Sequence, residues 1–357
     1  MKRKVLLDLS ILQEERFCGL GQIAINYARY YKENYSEKED YELFFLVPRD
    51  MFGAFGPNIT YIEPTKAKRE LPFLMPYVDA WHAIHQLSKY RPFWSRTKYI
   101  LTIHDCNFIY ETTGEKQEKY RKRLQRKIDR ADRIIGISHF TKDEVSKYFD
   151  LKGKEIEVIY NGVERLDVKE AKQPQGVDPS TPFFFTIGQI NPKKNFHVLL
   201  PLMKFFPEKN LYIVGSKDSS YATSIEETIK QEGLKNVHLL GVASDEERVW
   251  LYKNCKAFFF PSLLEGFGLP VIEALSFGKP VFSSSATSLK EIGGEHVFFW
   301  DNFEPEAMKL VIDENLNKFD QSPTLKQNEI EYALSFSYKE HIEKYIRIYK
   351  ELGFERK

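Results

Sequence analysis

Pro261-Ser262-Leu263-Leu264-Glu265-Gly266-Phe267-Gly268-Leu269-Pro270-Val271-Ile272-Glu273-Ala274 is the stretch on which the fold of this chain turns. Just ahead of it, Ala257 to Phe260 is a short apolar, aromatic run that reads as a buried strand. A loop with two glycines follows. Pro270 then suits the first turn of a helix, where a backbone N–H is not needed. Val271, Ile272, Ala274 and Leu275 continue in helical fashion, and Gly278 stops the helix. Strand, glycine loop and helix N-terminus gather free backbone N–H groups and the positive end of a helix dipole, which suits phosphate. Glu265 in the loop and Glu273 in the helix would repel phosphate, so hydroxyls are their natural partners. A ligand carrying both phosphate and many hydroxyls is a nucleotide sugar. The plainer alternative is an ordinary βα turn with an exposed Glu and a packed Gly.

Glu265-x7-Glu273 around Gly-Phe-Gly-Leu-Pro resembles the signature of the retaining GT-B glycosyltransferases of family 4, the glycosyl transferases group 1 of bacterial surface-glycan type. The resemblance implies an α/β fold of two Rossmann-like domains facing across a cleft, with a C-terminal helix crossing back to the first domain. It implies transfer of a sugar from a UDP-, GDP- or ADP-sugar to an acceptor hydroxyl with retained anomeric configuration. The setting it implies is cell-surface polysaccharide or lipid-linked glycan synthesis. No Asp-x-Asp metal motif is evident, so the expectation is metal-independent chemistry with no separate cofactor.

Composition is compatible with this. At 357 residues, two domains are the natural prior. The formal charge of +1 points to no nucleic-acid partner, although residues 1–170 carry +4 and the remainder −3. Cys18, Cys106 and Cys255 are odd in number and widely spaced, which argues against a disulfide framework or zinc site and fits a reducing compartment. Met1-Lys2-Arg3-Lys4 has the look of a signal n-region. The apolar run after it is broken by Asp8 and lacks a small-residue cleavage site, so it reads as a first strand. No run approaches the ~18 apolar residues of a membrane span, and a cytoplasmic protein is expected.

Further strands are predicted at 5–9, 41–47, 59–62, 80–84 and 99–103, separated by polar or helical segments, as in a parallel sheet with crossovers. Gly19-x-Gly21-x-x-Ala24 matches a loose dinucleotide fingerprint, but about nine residues separate it from the strand, whereas the fingerprint needs a tight turn. A loop followed by a helix over 23–31 is expected. The resemblance implies that Gly19 and Gly21 bring the backbone close to the donor. Strand 99–103 ends in His104-Asp105, and ligands bind beyond strand carboxyl ends. The resemblance implies that His104 hydrogen-bonds a sugar hydroxyl, with Asp105 orienting its imidazole.

A helix is predicted over 118–133, with Tyr120, Leu124, Ile128 and Ala131 on one face. Residues 116–133 hold nine basic and three acidic side chains. Such a face is a solvated surface or a peripheral contact with anionic lipid or an anionic acceptor. Ser138 is placed as the cap of a helix over 140–148, and 156–160 as another strand. Residues 165–182 are polar and proline-bearing and read as the linker. The domains are set at 1–165, 166–335 and 336–357, the last a helix with Ile342, Tyr345, Ile346 and Tyr349 on one face.

The second half restarts the alternation. Strand 183–188 ends in Gly188, followed by Gln189 and Lys194 ahead of a helix over 196–203. The resemblance implies that Lys194 grips the donor diphosphate. Gln189 stands where many members have Arg; it hydrogen-bonds an oxygen but neutralises nothing. Val242, after strands at 211–214 and 237–240, lies where members contact the base through backbone. The donor is thus expected on Gly19, Gly21, Gln189, Lys194, Val242, Gly266, Phe267, Gly268, Leu269 and Glu273, with His104, Glu265 and Lys194 as the catalytic set. Three alternatives stay open: another GT-B chemistry such as a nucleotide-sugar epimerase or hydrolase, a nicotinamide oxidoreductase, and a non-catalytic binding protein.

Overall fold

The computed structural model describes residues 2–14, 19–36, 38–163 and 170–354. Cys18 and the start of the expected linker lie outside the described residues. The chain divides into two units, Met1–Gly162 with Tyr338–Lys357, and Val163–Ser337. Each is a parallel sheet with helical crossovers, the arrangement that buried apolar strands alternating with helices dictate.

The first unit holds β1 (Arg3–Asp8), β2 (Tyr41–Leu46), β3 (Ile59–Ile62), β4 (Ala80–Ala83), β5 (Lys98–Ile103), β6 (Arg133–Gly136) and β7 (Ile156–Val158), in the order β3-β2-β1-β4-β5-β6-β7. Every pairing is parallel. The strand order reverses between β1 and β4, which makes the carboxyl ends there a switch point. The Tyr338–Phe354 helix belongs to this unit. It buries His341, Ile342, Tyr345, Ile348 and Tyr349, with Ile346 half-buried. Its polar atoms are as well fitted as its carbons: the Tyr338 hydroxyl donates to the Ile23 carbonyl (3.1 Å), and His82 hydrogen-bonds Tyr349 Oη (2.6 Å) and Thr102 Oγ1 (2.8 Å).

The second unit holds β8 (Phe183–Ile187), β9 (Asn210–Val214), β10 (Val237–Gly241), β11 (Ala257–Phe260), β12 (Val281–Ser284) and β13 (Phe298–Trp300), in the order β10-β9-β8-β11-β12-β13. Here the reversal falls between β8 and β11. The core between the sheet and its helices is built from Phe184, Phe259, Phe282 and Trp300 with Leu199, Leu202 and Met203. Among the described residues no helix is long and apolar enough to cross a membrane.

Several expectations need correction. The first helix is Gly19–Asn34, so Gly19 and Gly21 lie in its opening turn and not in a loop. The apolar repeat Ile23, Ala24, Tyr27, Ala28, Tyr31 pulls the preceding residues into register, and the glycine penalty of about 1 kcal/mol each is too small to prevent it. The dinucleotide fingerprint therefore has no tight turn. The basic helix is Gly114–Arg130, and Arg133 instead opens β6. The helix expected at 196–203 is a chain of short 3-10 and α pieces over 196–205, because Pro201 has no N–H to donate.

Candidate functional site

The decisive stretch folds as read. β11 is buried throughout, and the loop from Pro261 delivers Glu265 before Gly268 caps the Leu269–Ser276 helix. Gly268 has φ +96°, and a Cβ there would lie 2.5 Å from Leu289 Cδ2, so only glycine serves. The helix closes on a Schellman pattern, with Gly278 N–H donating to Leu275 O (2.8 Å) and Lys279 N–H to Ala274 O (3.2 Å).

Glu265 is pinned from every side. Its N–H donates to Thr287 Oγ1 (3.0 Å), and its carbonyl accepts from Ser288 Oγ (3.0 Å). Its carboxylate Oε1 accepts from Ser262 Oγ (2.6 Å) and from Lys194 Nζ (2.5 Å). Lys194 comes from the loop after β8, and its ammonium also stands 4.9 Å from the centre of the Phe260 ring. Both members of the ion pair are mostly buried, at 12% and 15% side-chain exposure. The two loops are stitched together by Leu263 N–H donating to Lys193 O (2.8 Å). The pair thus sits at the β8/β11 switch point. Thr287 is held at φ +54°, a left-handed conformation uncommon for a β-branched residue, while it serves Glu265.

Glycine makes room beside this pair. A Cβ on Gly188 would come within 3.0 Å of Lys194 Cε, and one on Gly215 within 1.9 Å of the Gly188 carbonyl oxygen. Gln189 is exposed, as is Val242.

Glu273 projects from the Leu269–Ser276 helix to Arg248 and Tyr252 on the Asp245–Asn254 helix. Its Oε2 accepts from Arg248 Nη2 (2.8 Å) and from the Tyr252 hydroxyl (2.8 Å). Among the described residues Oε1 accepts no such bond. The Glu273 carboxylate holds the Arg248 guanidinium even more firmly protonated than usual, and burial pushes the Tyr252 phenol well up. Sequence reasoning missed Arg248, Tyr252, Ser262, Thr287 and Ser288. A trace existed for the first two: Ser244-x-x-Glu247 forms a capping box that fixes the helix start, which puts residues 248 and 252 on one face.

In the first unit His104 follows β5 and is buried. Its Nε2 donates to the Ile84 carbonyl (2.8 Å), and its backbone N–H donates to Gln86 Oε1 (3.0 Å). The orienting partner found for the ring is that carbonyl, not the expected Asp105, whose Oδ1 accepts from the Asn107 N–H. Burial lowers the imidazole pKa to about 4. A neutral ring donating through Nε2 keeps Nδ1 as an acceptor, the atom suited to a hydroxyl hydrogen.

The basic helix is only partly a solvated face. Arg123 Nη2 donates to the Leu87 and Ser88 carbonyls, Lys127 Nζ to those of Gln86 and Ser88, and Arg130 Nη2 to those of Trp94 and Thr97. Those three cations clamp the chain between β4 and β5. Among the described residues no group of three or more His, Cys, Asp or Glu is placed to hold a metal ion.

Comparison with known proteins gives concordant results. The family model described as glycosyl transferases group 1 matches residues 167–332, and that of glycosyltransferase family 4 matches residues 61–165. The O-antigen chain mannosyltransferase RfbU of Salmonella typhimurium is 28% identical over 194 residues, 54% of this chain and 53% of that protein. The match therefore spans about half of that relative. The O-antigen chain mannosyltransferase B of Escherichia coli is 26% identical over 273 residues, 70% of each chain. HepE of Anabaena, solved in complex with UDP and glucose, shares the fold with a TM-score of 0.76 at 16% identity, covering 98% of this chain and 100% of that one. With the two parallel sheets of the GT-B architecture, and with both halves matched by models of the same enzyme class, the chain belongs to the glycosyltransferases of group 1 and family 4.

Proposed function

We propose that the chain moves a sugar, mannose foremost, from a nucleoside diphosphate to a hydroxyl of a surface polysaccharide or lipid-linked glycan, with retention and without a metal ion. The observation that carries this reading is the Lys194–Glu265 pair at the β8/β11 switch point, beside a glycine-capped helix that bears Glu273. Mannose is put first because two relatives are named O-antigen mannosyltransferases. The bond that breaks joins the anomeric carbon to a diphosphate oxygen. Lys194 and the amides of Gly266–Leu269 stabilise the negative charge that departs, and one such donor is worth ~3–4 kcal/mol. Glu265 holds sugar hydroxyls near the electron-poor anomeric centre. Glu273 takes the ribose hydroxyls through Oε1, with Arg248 and Tyr252 fixing the carboxylate through Oε2. His104 accepts a sugar hydroxyl hydrogen at Nδ1. The leaving phosphate oxygen takes the acceptor proton on the same face, so no separate base is required. Gly19, Gly21, Gln189 and the backbone at Val242 complete the donor contacts, and the reaction runs on the cytoplasmic side.

The test is a panel of UDP-, GDP- and ADP-linked mannose and glucose, with and without chelator, against glycan acceptors. Release of nucleoside diphosphate, and retained anomeric configuration by proton NMR, are expected from one donor and undiminished by chelator. Failure to bind any nucleoside diphosphate sinks the reading.

A further inference from the structure

We propose that an exposed aromatic face of the first unit, built on Phe73, Tyr77, Phe93 and Trp94, docks the protein on an anionic lipid bilayer. This goes beyond the proposed reaction and does not depend on it. The four side chains come from three places in the chain between β3 and β5 yet meet as one patch. Phe73 and Phe93 have ring centres 6.2 Å apart, Phe93 and Trp94 5.2 Å, and Tyr77 and Trp94 6.4 Å. Their exposure is 53%, 43%, 52% and 44% in order of number, and Leu71 and Leu74 beside them are 47% and 45% exposed. Apolar carbon gathered like this in water marks a contact surface.

The charge says which contact. Residues 66–98 carry seven Lys and Arg against two acidic residues, although the whole chain stands at +1; Arg69, Lys89 and Lys98 are paired with Glu70, Glu14 and Asp132, so the charge offered to a partner rests on the other four. Arg91 and Arg96 flank the aromatic pair Phe93-Trp94 and are exposed, and Arg96 lines a groove with Tyr77, Trp94 and Ser95. Trp and Tyr rings rest at headgroup depth, and Arg and Lys are drawn to an anionic leaflet. An apolar anchor combined with a basic patch supplies the two signals that stable peripheral binding needs. The Gly114–Arg130 helix is tied to the same segment by the bonds from Arg130 to the Trp94 and Thr97 carbonyls, and it carries the exposed Lys116, Lys119, Lys122 and Arg126. The basic helix flagged from sequence thus has its apolar counterpart: the helix bears charge, and the 71–94 segment bears the anchor.

The test is sedimentation of the full chain with vesicles of phosphatidylcholine alone or mixed with phosphatidylglycerol, at low and high salt. Binding to the anionic vesicles only, weakened by salt, is expected. In the Phe93→Ser/Trp94→Ser variant binding falls about tenfold or more, with an unchanged thermal melt as proof of folding. Quenching of tryptophan emission by brominated lipid is expected in the wild type and largely lost in Trp94→Phe, because Trp81 and Trp300 are buried and Trp250 is half-buried on the second unit, stacked on Phe183. No binding to anionic vesicles, or binding undiminished in the double variant, overturns the proposal. So does self-association of the wild type in sedimentation velocity that the variant abolishes, which would assign the patch to a second copy.

Discussion

Mild acid should loosen the C-terminal helix from the first unit, through His341. This imidazole is 4% exposed; its Nδ1 donates to the Tyr160 carbonyl (2.7 Å) and its Nε2 faces the Tyr27 hydroxyl (2.8 Å). Burial among Tyr27, Tyr338 and Tyr345 lowers its pKa from 6.5 to about 3. The unfolded chain takes up a proton below pH 6.5 while the folded chain does not until about pH 3. Stability is therefore full above pH 6.5 and is lost as pH falls. Linkage puts the loss between pH 7.5 and pH 5 at about 2 kcal/mol, about a 30-fold shift in the opening equilibrium. His104, lowered to about 4, adds a loss of similar size, and the buried His82 and His85 act in the same direction. Asp8, whose pKa burial raises, opposes them. The assay is hydrogen exchange of peptides from residues 338–352 at the two pH values, corrected for the intrinsic rate. His341→Gln keeps an acceptor and a donor but does not titrate, so its protection should vary less with pH. Equal protection at both pH values in the wild type, or an undiminished pH slope in His341→Gln, refutes the reasoning.

Three further outcomes are expected. Lys194→Met should lower kcat by about 100- to 1000-fold, as for loss of one preorganised charge donor, while a circular-dichroism melt shows the fold intact; near-normal turnover would remove Lys194 from the leaving-group site. Arg248→Leu should raise the donor KM about tenfold with little effect on kcat, because it frees the Glu273 carboxylate without touching the reacting bond. It should also destabilise by about 1–3 kcal/mol, since the pair is mostly but not wholly buried; a fall in kcat alone would contradict this. Gly215→Ala should unfold the second unit, because its Cβ would lie 1.9 Å from a backbone oxygen that cannot yield like a side-chain tip; a soluble variant melting as the wild type would show that the strand ends rearrange.

What was legible in the sequence was periodic or punctuated. β3 runs Ile59–Ile62 as read, and Ser138 caps its helix by accepting from the Thr141 N–H (3.0 Å), because both depend on neighbours in sequence. The Glu265-to-Glu273 stretch was legible because strand, left-handed glycine and helix start are all local. The partners of these carboxylates were not. Arg248 reaches Glu273 across a helix–helix contact, and Thr287 reaches Glu265 from the loop after β12, so only the assembled sheet brings them together. His104 shows the limit most plainly: its partner is a backbone carbonyl, which has no residue type to recognise. The basic helix was legible only in part, for a related reason. Composition counts charges but does not tell that Lys127 turns inward to the Gln86 and Ser88 carbonyls, where burial lowers its pKa to about 7.

The second unit therefore keeps its key charges in pairs, Lys194 with Glu265 and Arg248 with Glu273. A mostly buried lysine without an anion beside it is costly, and so is a mostly buried carboxylate alone. Pairing removes both costs. The pairs are not equivalent, however. Arg248 is bound on a second side by Asp245 (3.1 Å), and Tyr252 also holds Glu273, so that pair is fixed, with one carboxylate oxygen that accepts no hydrogen bond among the described residues. Lys194 has no such second carboxylate among the described residues; its ammonium has three N–H groups and one anionic partner. On the proposed reading a diphosphate shares that ammonium, and Glu265 passes to sugar hydroxyls, with Ser262 Oγ still donating to its Oε1. The contact that holds the two loops together is then, on that reading, the one that reads the donor. On the same reading, with Gln189 unable to add charge, stabilisation of the leaving group would rest on Lys194 and on the amides of the helix that Gly268 opens.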